Sequence, residues 1–312
     1  MDVEHLLNHL SKNTIYNIMI NTLCLSGGGI KGISYIGTLM YLEYENYLDI
    51  NNITIYVGTS SGSILSFFFN IGYSLKELEN FVLQFDFSKL EPDINCNTFL
   101  SKYGMDDGTK IMTTIQTFLI EKLKVKDITF QELHKITNKT LKIFTTNFTL
   151  AQSEIFSHEN TPNVSVLTAI RMSISVPFLF TPVEYNGNIY VDGGITYNFG
   201  LNYCDSLTTL GLAITNKKIN QIDSLHSYLI GLCNIALDSI SLNSVCQESK
   251  HLPYNYIEIN CQLKEGLDFV INKGCVEQLI SDGTHFARKY YSNFIAKQIL
   301  DEIINKTIEN NN

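Results

Sequence analysis

The run Thr22-Leu23-Cys24-Leu25-Ser26-Gly27-Gly28-Gly29-Ile30-Lys31-Gly32 is followed further on by Ile53-Thr54-Ile55-Tyr56-Val57-Gly58-Thr59-Ser60-Ser61-Gly62, and these two stretches decide how the chain reads. In each, a short apolar segment reads as a strand that breaks at glycine. Between them, from about Gly32 to Tyr47, Ile33, Ile36, Leu39 and Met40 fall on one side of a helix. After Ser60 the segment Ile64-Leu65-Ser66-Phe67-Phe68-Phe69 is apolar all round, which marks a helix buried in the middle of a fold. Strand, loop, helix, strand, turn, helix is the order of an α/β fold with a mainly parallel central sheet flanked by helices.

The rest of the chain extends this pattern. Val3, Leu6, Leu7 and Leu10 predict a short amphipathic helix at the start. Ile111, Met112, Ile115, Phe118 and Leu119 predict another from Thr109. Strands are expected at Leu141–Phe144, Asn188–Val191, Leu207–Ile214 and Tyr254–Ile259, and a helical tail from Gly274 with Phe294, Ile295, Ile299 and Ile303 in register. Ser74 to Phe99 gives no clear assignment. No repeat, linker or boundary shows, so residues 1–312 read as a single domain. Its motif-bearing core spans about 21–200, and 201–312 completes the sheet and adds C-terminal helices.

Composition narrows the partners. A formal charge of −9 argues against a nucleic acid and against simple docking on anionic lipid. The seven cysteines, Cys24, Cys96, Cys204, Cys233, Cys246, Cys261 and Cys275, include no C-x-x-C pair, so neither a zinc site nor a disulfide framework is indicated. No Asp/Asn ladder suggests calcium, and no cofactor is expected. The acidic start Met1-Asp2-Val3-Glu4 is unlike a signal peptide, and no apolar run is long enough to span a bilayer. A cytoplasmic protein, or one peripheral at membranes, is the expectation.

The first glycine motif has three readings. Gly27, Gly29 and Gly32 satisfy G-x-G-x-x-G, but a dinucleotide site wants an acid at the end of the next strand, where Gly58-Thr59-Ser60 stands. A Walker A loop fails because the order is Lys31-Gly32. The third reading is a cradle of backbone N–H groups at a helix start, suited to an oxyanion. A plain glycine turn packing helix on strand is the bland alternative.

Gly58-Thr59-Ser60-Ser61-Gly62 matches G-x-S-x-G between a strand and a helix, the setting of a nucleophile elbow. Ser60 is the candidate nucleophile and Ser61 a weaker one. A serine needs a base. His226, His251 and His285 sit in no marked turn. Asp192 ends a strand before Gly193-Gly194, and in a parallel sheet it would point to the same edge as the elbow. An ordinary Asp-Gly turn is the alternative.

Taken in order, Gly27 to Gly32, Gly58 to Gly62 and Asp192-Gly193-Gly194 resemble the motifs of the patatin-like phospholipases. Tyr103-Gly104-Met105-Asp106-Asp107-Gly108, Thr129-Phe130-Gln131-Glu132-Leu133 and the block Ala169 to Phe180 are similar to weaker family stretches. The resemblance covers about Asn21 to Gly200. Ser61 stands where the family commonly has alanine, and Ser63 where it has a small residue.

The resemblance implies a patatin-like three-layer architecture and a Ser–Asp dyad without histidine. Ser60 would be the nucleophile and Asp192 the general base. Gly27, Gly28 and Gly29 would form the oxyanion hole, Lys31 would take the family's basic position, and Gly32, Gly58, Gly62, Gly193 and Gly194 would complete the motifs. A carboxylate at its ordinary pKa of about 3.9 is a weak base, so the chemistry needs a dry site that raises it. The implied activity is cleavage of fatty-acyl esters of glycerophospholipids in a membrane or micelle, with room for an activating protein partner. A carboxylesterase or neutral-lipid lipase on the same site, and an inactive lipid- or protein-binding module, are the alternatives.

Overall fold

The computed structural model describes residues 20–92, 96–215, 255–261 and 271–310, with a few helical positions between 228 and 235. The helix expected at Val3–Leu10 and the cysteines Cys233 and Cys246 lie outside the described residues.

Thr22–Leu25 forms β1 and Ile55–Thr59 forms β2, parallel to each other with Leu25 opposite Gly58. The connection is a 3-10 turn over Gly29–Ile33 that continues as α1, Ser34–Tyr44. The second crossover begins with α2, Ser61–Asn70, whose Leu65, Phe67, Phe68 and Phe69 are buried. This helix lies against β1, β2 and the fourth strand, as its all-round apolar sequence demands. Ser74 to Phe99, which has no clear assignment from sequence, holds α3, Leu75–Gln84, and a 3-10 turn at Phe87–Leu90, and α4, Cys96–Lys102, runs just past it. Ser74 and Glu77 form a reciprocal capping box that starts α3. Thr129-Phe130-Gln131-Glu132-Leu133 is a second capping box, opening α6, Phe130–Thr137. Before it, β3, Gly104–Asp106, leads into α5, Thr109–Leu123.

The main sheet continues with β4, Thr140–Asn147, parallel to β2, and β5, Gln152–Phe156, antiparallel to β4. After α7, Val166–Ser173, come β6, Phe178–Phe180, β7, Val183–Tyr185, and β8, Asn188–Asp192. β6 pairs with β3 in a separate two-stranded sheet. Beyond the short α8, Gly194–Tyr197, β9, Thr209–Thr215, inserts beside β1, and β10, Asn255–Asn260, lies outside it. The strand order is β10-β9-β1-β2-β4-β8-β7.

One pairing corrects the expectation that Asp192 lies on a parallel strand. β8 runs antiparallel to β4, with Asp192 opposite Thr145. β2 pairs with β4 only as far as Phe144, while β5 occupies residues 143–147 of β4. A strand has two edges, so β5 takes one, and β2 and then β8 share the other. The C-terminal ends of β2 and β8 therefore meet head to head, which is what brings Ser60 and Asp192 together.

The C-terminal helix α9, Lys273–Asn310, packs across α1. Thr38 Oγ1 donates to the Gly283 carbonyl at 3.1 Å, and Thr284 Oγ1 to the Gly37 carbonyl at 3.2 Å. The crossing is close because Gly37 and Gly283 present no side chain to the facing backbone. Among the described residues no helix is long and apolar enough to cross a membrane.

Candidate active site

Ser60 joins β2 to α2 in a sharp turn, with φ 50° and ψ −125°. A positive φ in a residue with a side chain costs about 1–3 kcal/mol and persists only where the surroundings enforce it. Here they do: the Ser60 N–H donates to Ser173 Oγ at 2.9 Å, and Ser63 Oγ donates to the Ser60 carbonyl at 2.6 Å. Gly62 lets the elbow sit on the end of β1, because a Cβ there would run into the carbonyl oxygens of Leu25 and Ser26. Gly62→Ala is expected to destabilise the fold by about 2 kcal/mol, read as a lower Tm in thermal denaturation. An unchanged Tm would contradict this tight packing.

Ser60 Oγ donates to Asp192 Oδ2 at 2.7 Å. The other carboxylate oxygen, Oδ1, accepts from the Gly194 N–H at 2.8 Å. Asp192 is only 1% exposed and Ser60 8%. Burial drives the Asp192 carboxyl from its ordinary 3.8 up to about 7, against the opposing pull of the Ser60 hydroxyl and the Gly194 N–H. A carboxylate with that proton affinity is matched to take a proton at neutral pH.

The glycine loop passes over this pair. A Cβ on Gly27 would sit 3.0 Å from Ser60 Cβ, so the loop backbone lies directly beside the nucleophile position. The Gly27 N–H donates to the Asn198 carbonyl at 3.2 Å, whereas those of Gly28 and Gly29 take no protein acceptor among the described residues. Gly29 has φ 57°, which aligns the start of the 3-10 turn. From Ser60 and Gly29 a cavity of about 170 Å³ runs between α2, α3 and α5. Its walls include Phe68, Phe81, Ile115 and Phe118, and among the described residues no charged side chain lines it. The arrangement places a hydroxyl, a raised carboxylate and an apolar slot together beside the glycine loop.

Comparison with known proteins places the chain in a family. The family described as patatin-like phospholipase matches residues 23–205, which is more than half of the chain. The chain belongs to the patatin-like phospholipase family. Family membership sets it among lipid-hydrolysing enzymes. An uncharacterised protein, R571, of Acanthamoeba polyphaga mimivirus is 34% identical over 226 residues, covering 68% of this chain and 74% of the relative. A probable lipid hydrolase, 463L, of Invertebrate iridescent virus 6 is 33% identical over 186 residues, covering 58% of this chain and 62% of that one. Among solved structures, VipD from Legionella pneumophila superposes with a TM-score of 0.56 at 16% identity, covering 88% of this chain and 67% of that one, and shares the fold.

Against the family motifs, this patatin-like chain distributes its residues unevenly. Gly58 and Gly62 face each other across the elbow, and a Cβ on Gly193 would strike the Phe144 carbonyl. Lys31, which the resemblance puts in the family's basic position, does not line the cavity. It is 1% exposed, and its charge acts on the Cys261 thiol. Burial and Asp282 push that thiol up to about 11, against the pull of Ser34 and Lys31. Ser61 turns under the glycine loop, with Oγ 3.1 Å from where a Gly32 Cβ would lie and no hydrogen-bond partner among the described residues. Of the histidines considered, His285 sits on α9 and lines no part of the cavity, and His226 and His251 lie outside the described residues. Among the described residues no group of three His, Cys, Asp or Glu side chains could hold a metal ion.

Asn198 and Ser173 touch the site, and nothing in the sequence marks either one individually. Asn198 receives the Gly27 N–H through its carbonyl, and its side-chain Nδ2 donates back to the Gly27 carbonyl at 3.5 Å. Ser173 stands within the block Ala169 to Phe180, whose likeness to the family was the available signal.

Proposed function

We propose that the chain is a lipid acyl hydrolase that cleaves fatty-acyl esters of glycerophospholipids at a membrane or micelle surface. The observation that carries this reading is the 2.7 Å hydrogen bond between Ser60 Oγ and a buried Asp192 at the mouth of an apolar cavity. In the proposed reaction Asp192 takes the Ser60 proton as Oγ attacks the ester carbonyl. The N–H groups of Gly28 and Gly29 stabilise the oxyanion, and Gly27 has no Cβ to strike the Asn198 side-chain oxygen and crowd Ser60. Collapse expels the alcohol, a lysophospholipid, which leaves with the proton from Asp192. Water, deprotonated by Asp192, then attacks the acyl-enzyme, releases the fatty acid and restores Ser60.

The cavity receives the acyl chain. Its uncharged lining suits a hydrocarbon tail and leaves the head group outside. The test is fatty-acid release from phosphatidylcholine vesicles, triacylglycerol emulsions and short p-nitrophenyl esters. Highest turnover on the vesicles is expected. Preference for triacylglycerol or for the short esters would replace the phospholipid assignment with a neutral-lipid or general esterase.

Filling the cavity provides a second check. Ile115 is buried in its wall, so Ile115→Trp is expected to lower kcat/KM on a long-chain p-nitrophenyl ester by about tenfold or more and leave the acetate ester nearly unchanged. Equal losses on both esters would place the acyl chain elsewhere.

A further inference from the structure

We propose that Ser173 is a positioning residue that holds the nucleophile turn and the base strand in one fixed relation. It is the last residue of α7 and is 0% exposed. Its Oγ donates to the Phe144 carbonyl at 2.7 Å and accepts the Ser60 N–H at 2.9 Å. Its own carbonyl accepts the Gly193 N–H at 3.2 Å, and that of Ser175 accepts the Asp192 N–H at 2.9 Å. One three-residue segment thus receives backbone N–H groups from the elbow and from the strand end that carries the carboxylate.

The need for such a bracket follows from the sheet. Backbone pairing between β2 and β4 stops at Phe144, and pairing between β8 and β4 starts at Thr145. No ladder bond joins the two strand ends to each other, since they meet head to head on the same edge. Ser60 sits in the gap with a positive φ, and its N–H bonds Ser173 Oγ instead of a neighbouring strand. The site calls for a single atom that donates to Phe144 and accepts from Ser60. A hydroxyl does both; a methyl group does neither. Arg171 steadies the same segment, since its guanidinium donates to Ser175 Oγ and to the Thr181 carbonyl.

The inference rests on the Ser60–Asp192 reading, and its test keeps the two apart. Wild-type protein, Ser173→Ala, Ser173→Thr and Ser173→Cys are each treated with a fluorophosphonate probe across a pH series, with circular dichroism and Tm recorded in parallel. Ser173→Ala is expected to label Ser60 about 100-fold more slowly, as misplacement of a reacting group by an ångström typically does. KM for an ester substrate should change little, because the cavity is untouched.

The acid inflection of the labelling rate should also move to higher pH, since the Ser60 hydroxyl bond that holds the Asp192 carboxyl down is lost. Among the described residues no charged side chain contributes to that carboxyl's shift. Ser173→Thr keeps the hydroxyl and should recover most of the rate. If Ser173→Ala does not fold, Ser173→Cys carries the test, with slower labelling and a displaced inflection expected. Labelling rate and inflection equal to wild type in a folded variant, with only Tm lowered, would overturn the inference and leave the dyad standing. Wild-type protein that fails to label Ser60 would overturn the functional reading itself.

Discussion

Ser60→Ala is expected to lower ester hydrolysis by a factor on the order of 10⁴ or more and to abolish fluorophosphonate labelling. No acyl-enzyme can form without Oγ, and Ser61 offers no substitute because its hydroxyl lies under Gly32 rather than beside Asp192. The fold should persist. The Ser60 side chain makes one hydrogen bond, to Asp192, and the contacts that hold the elbow run through its backbone N–H and carbonyl. Fatty-acid release and probe labelling on protein of unchanged Tm measure the effect. Hydrolysis within tenfold of wild type, or labelling that survives the substitution, would remove Ser60 from the reaction.

Asp192→Asn is expected to lower kcat by about 10³-fold while KM changes little. The amide keeps the shape and can still accept the Gly194 N–H through Oδ1, but its nitrogen cannot take a proton from Ser60. The same substitution should stabilise the protein at alkaline pH. The folded carboxyl has its pKa raised to about 7 from 3.8, so between those values the folded state binds more protons than the unfolded chain. Stability therefore falls as pH rises through this window and carries the full penalty above pH 7, on the order of 4 kcal/mol. Asparagine has no such penalty. Asp192→Asn should melt above wild type at pH 8, and the gap should close toward pH 4. A variant that melts below wild type at pH 8, or a gap independent of pH, would contradict burial as the source of the raised pKa.

The elements legible in the sequence are those whose signal is local. β1 ends at Leu25, two residues before Gly27, β2 ends at Thr59 just past Gly58, α2 is apolar all round, and Ile111, Ile115, Phe118 and Leu119 form one buried stripe on α5. Asp192 stood out because Gly193-Gly194 follows it. Its direction of approach did not, since nothing in Asn188–Asp192 says whether the strand lies parallel or antiparallel to β4. β3, β6 and β7 span three residues each, too short to show any period. In Ser74 to Phe99 the capping box at Ser74 and Glu77 was a usable sign of α3, masked by the aromatic run Phe81, Phe85 and Phe87 that continues past its end. Ser173 was beyond reach as a functional residue, because its bond to Ser60 spans 113 positions and exists only once the sheet is assembled.

The pH dependence of Ser60 labelling by a fluorophosphonate, in wild type and in Asp192→Asn, tests the central claim most directly. A carboxylate poised near 7 predicts that the wild-type rate falls about tenfold per unit as pH drops below 7 and levels off above it. In Asp192→Asn that inflection should vanish, leaving a low rate throughout the range. An inflection near 7 that persists in Asp192→Asn would show that some other group activates the serine.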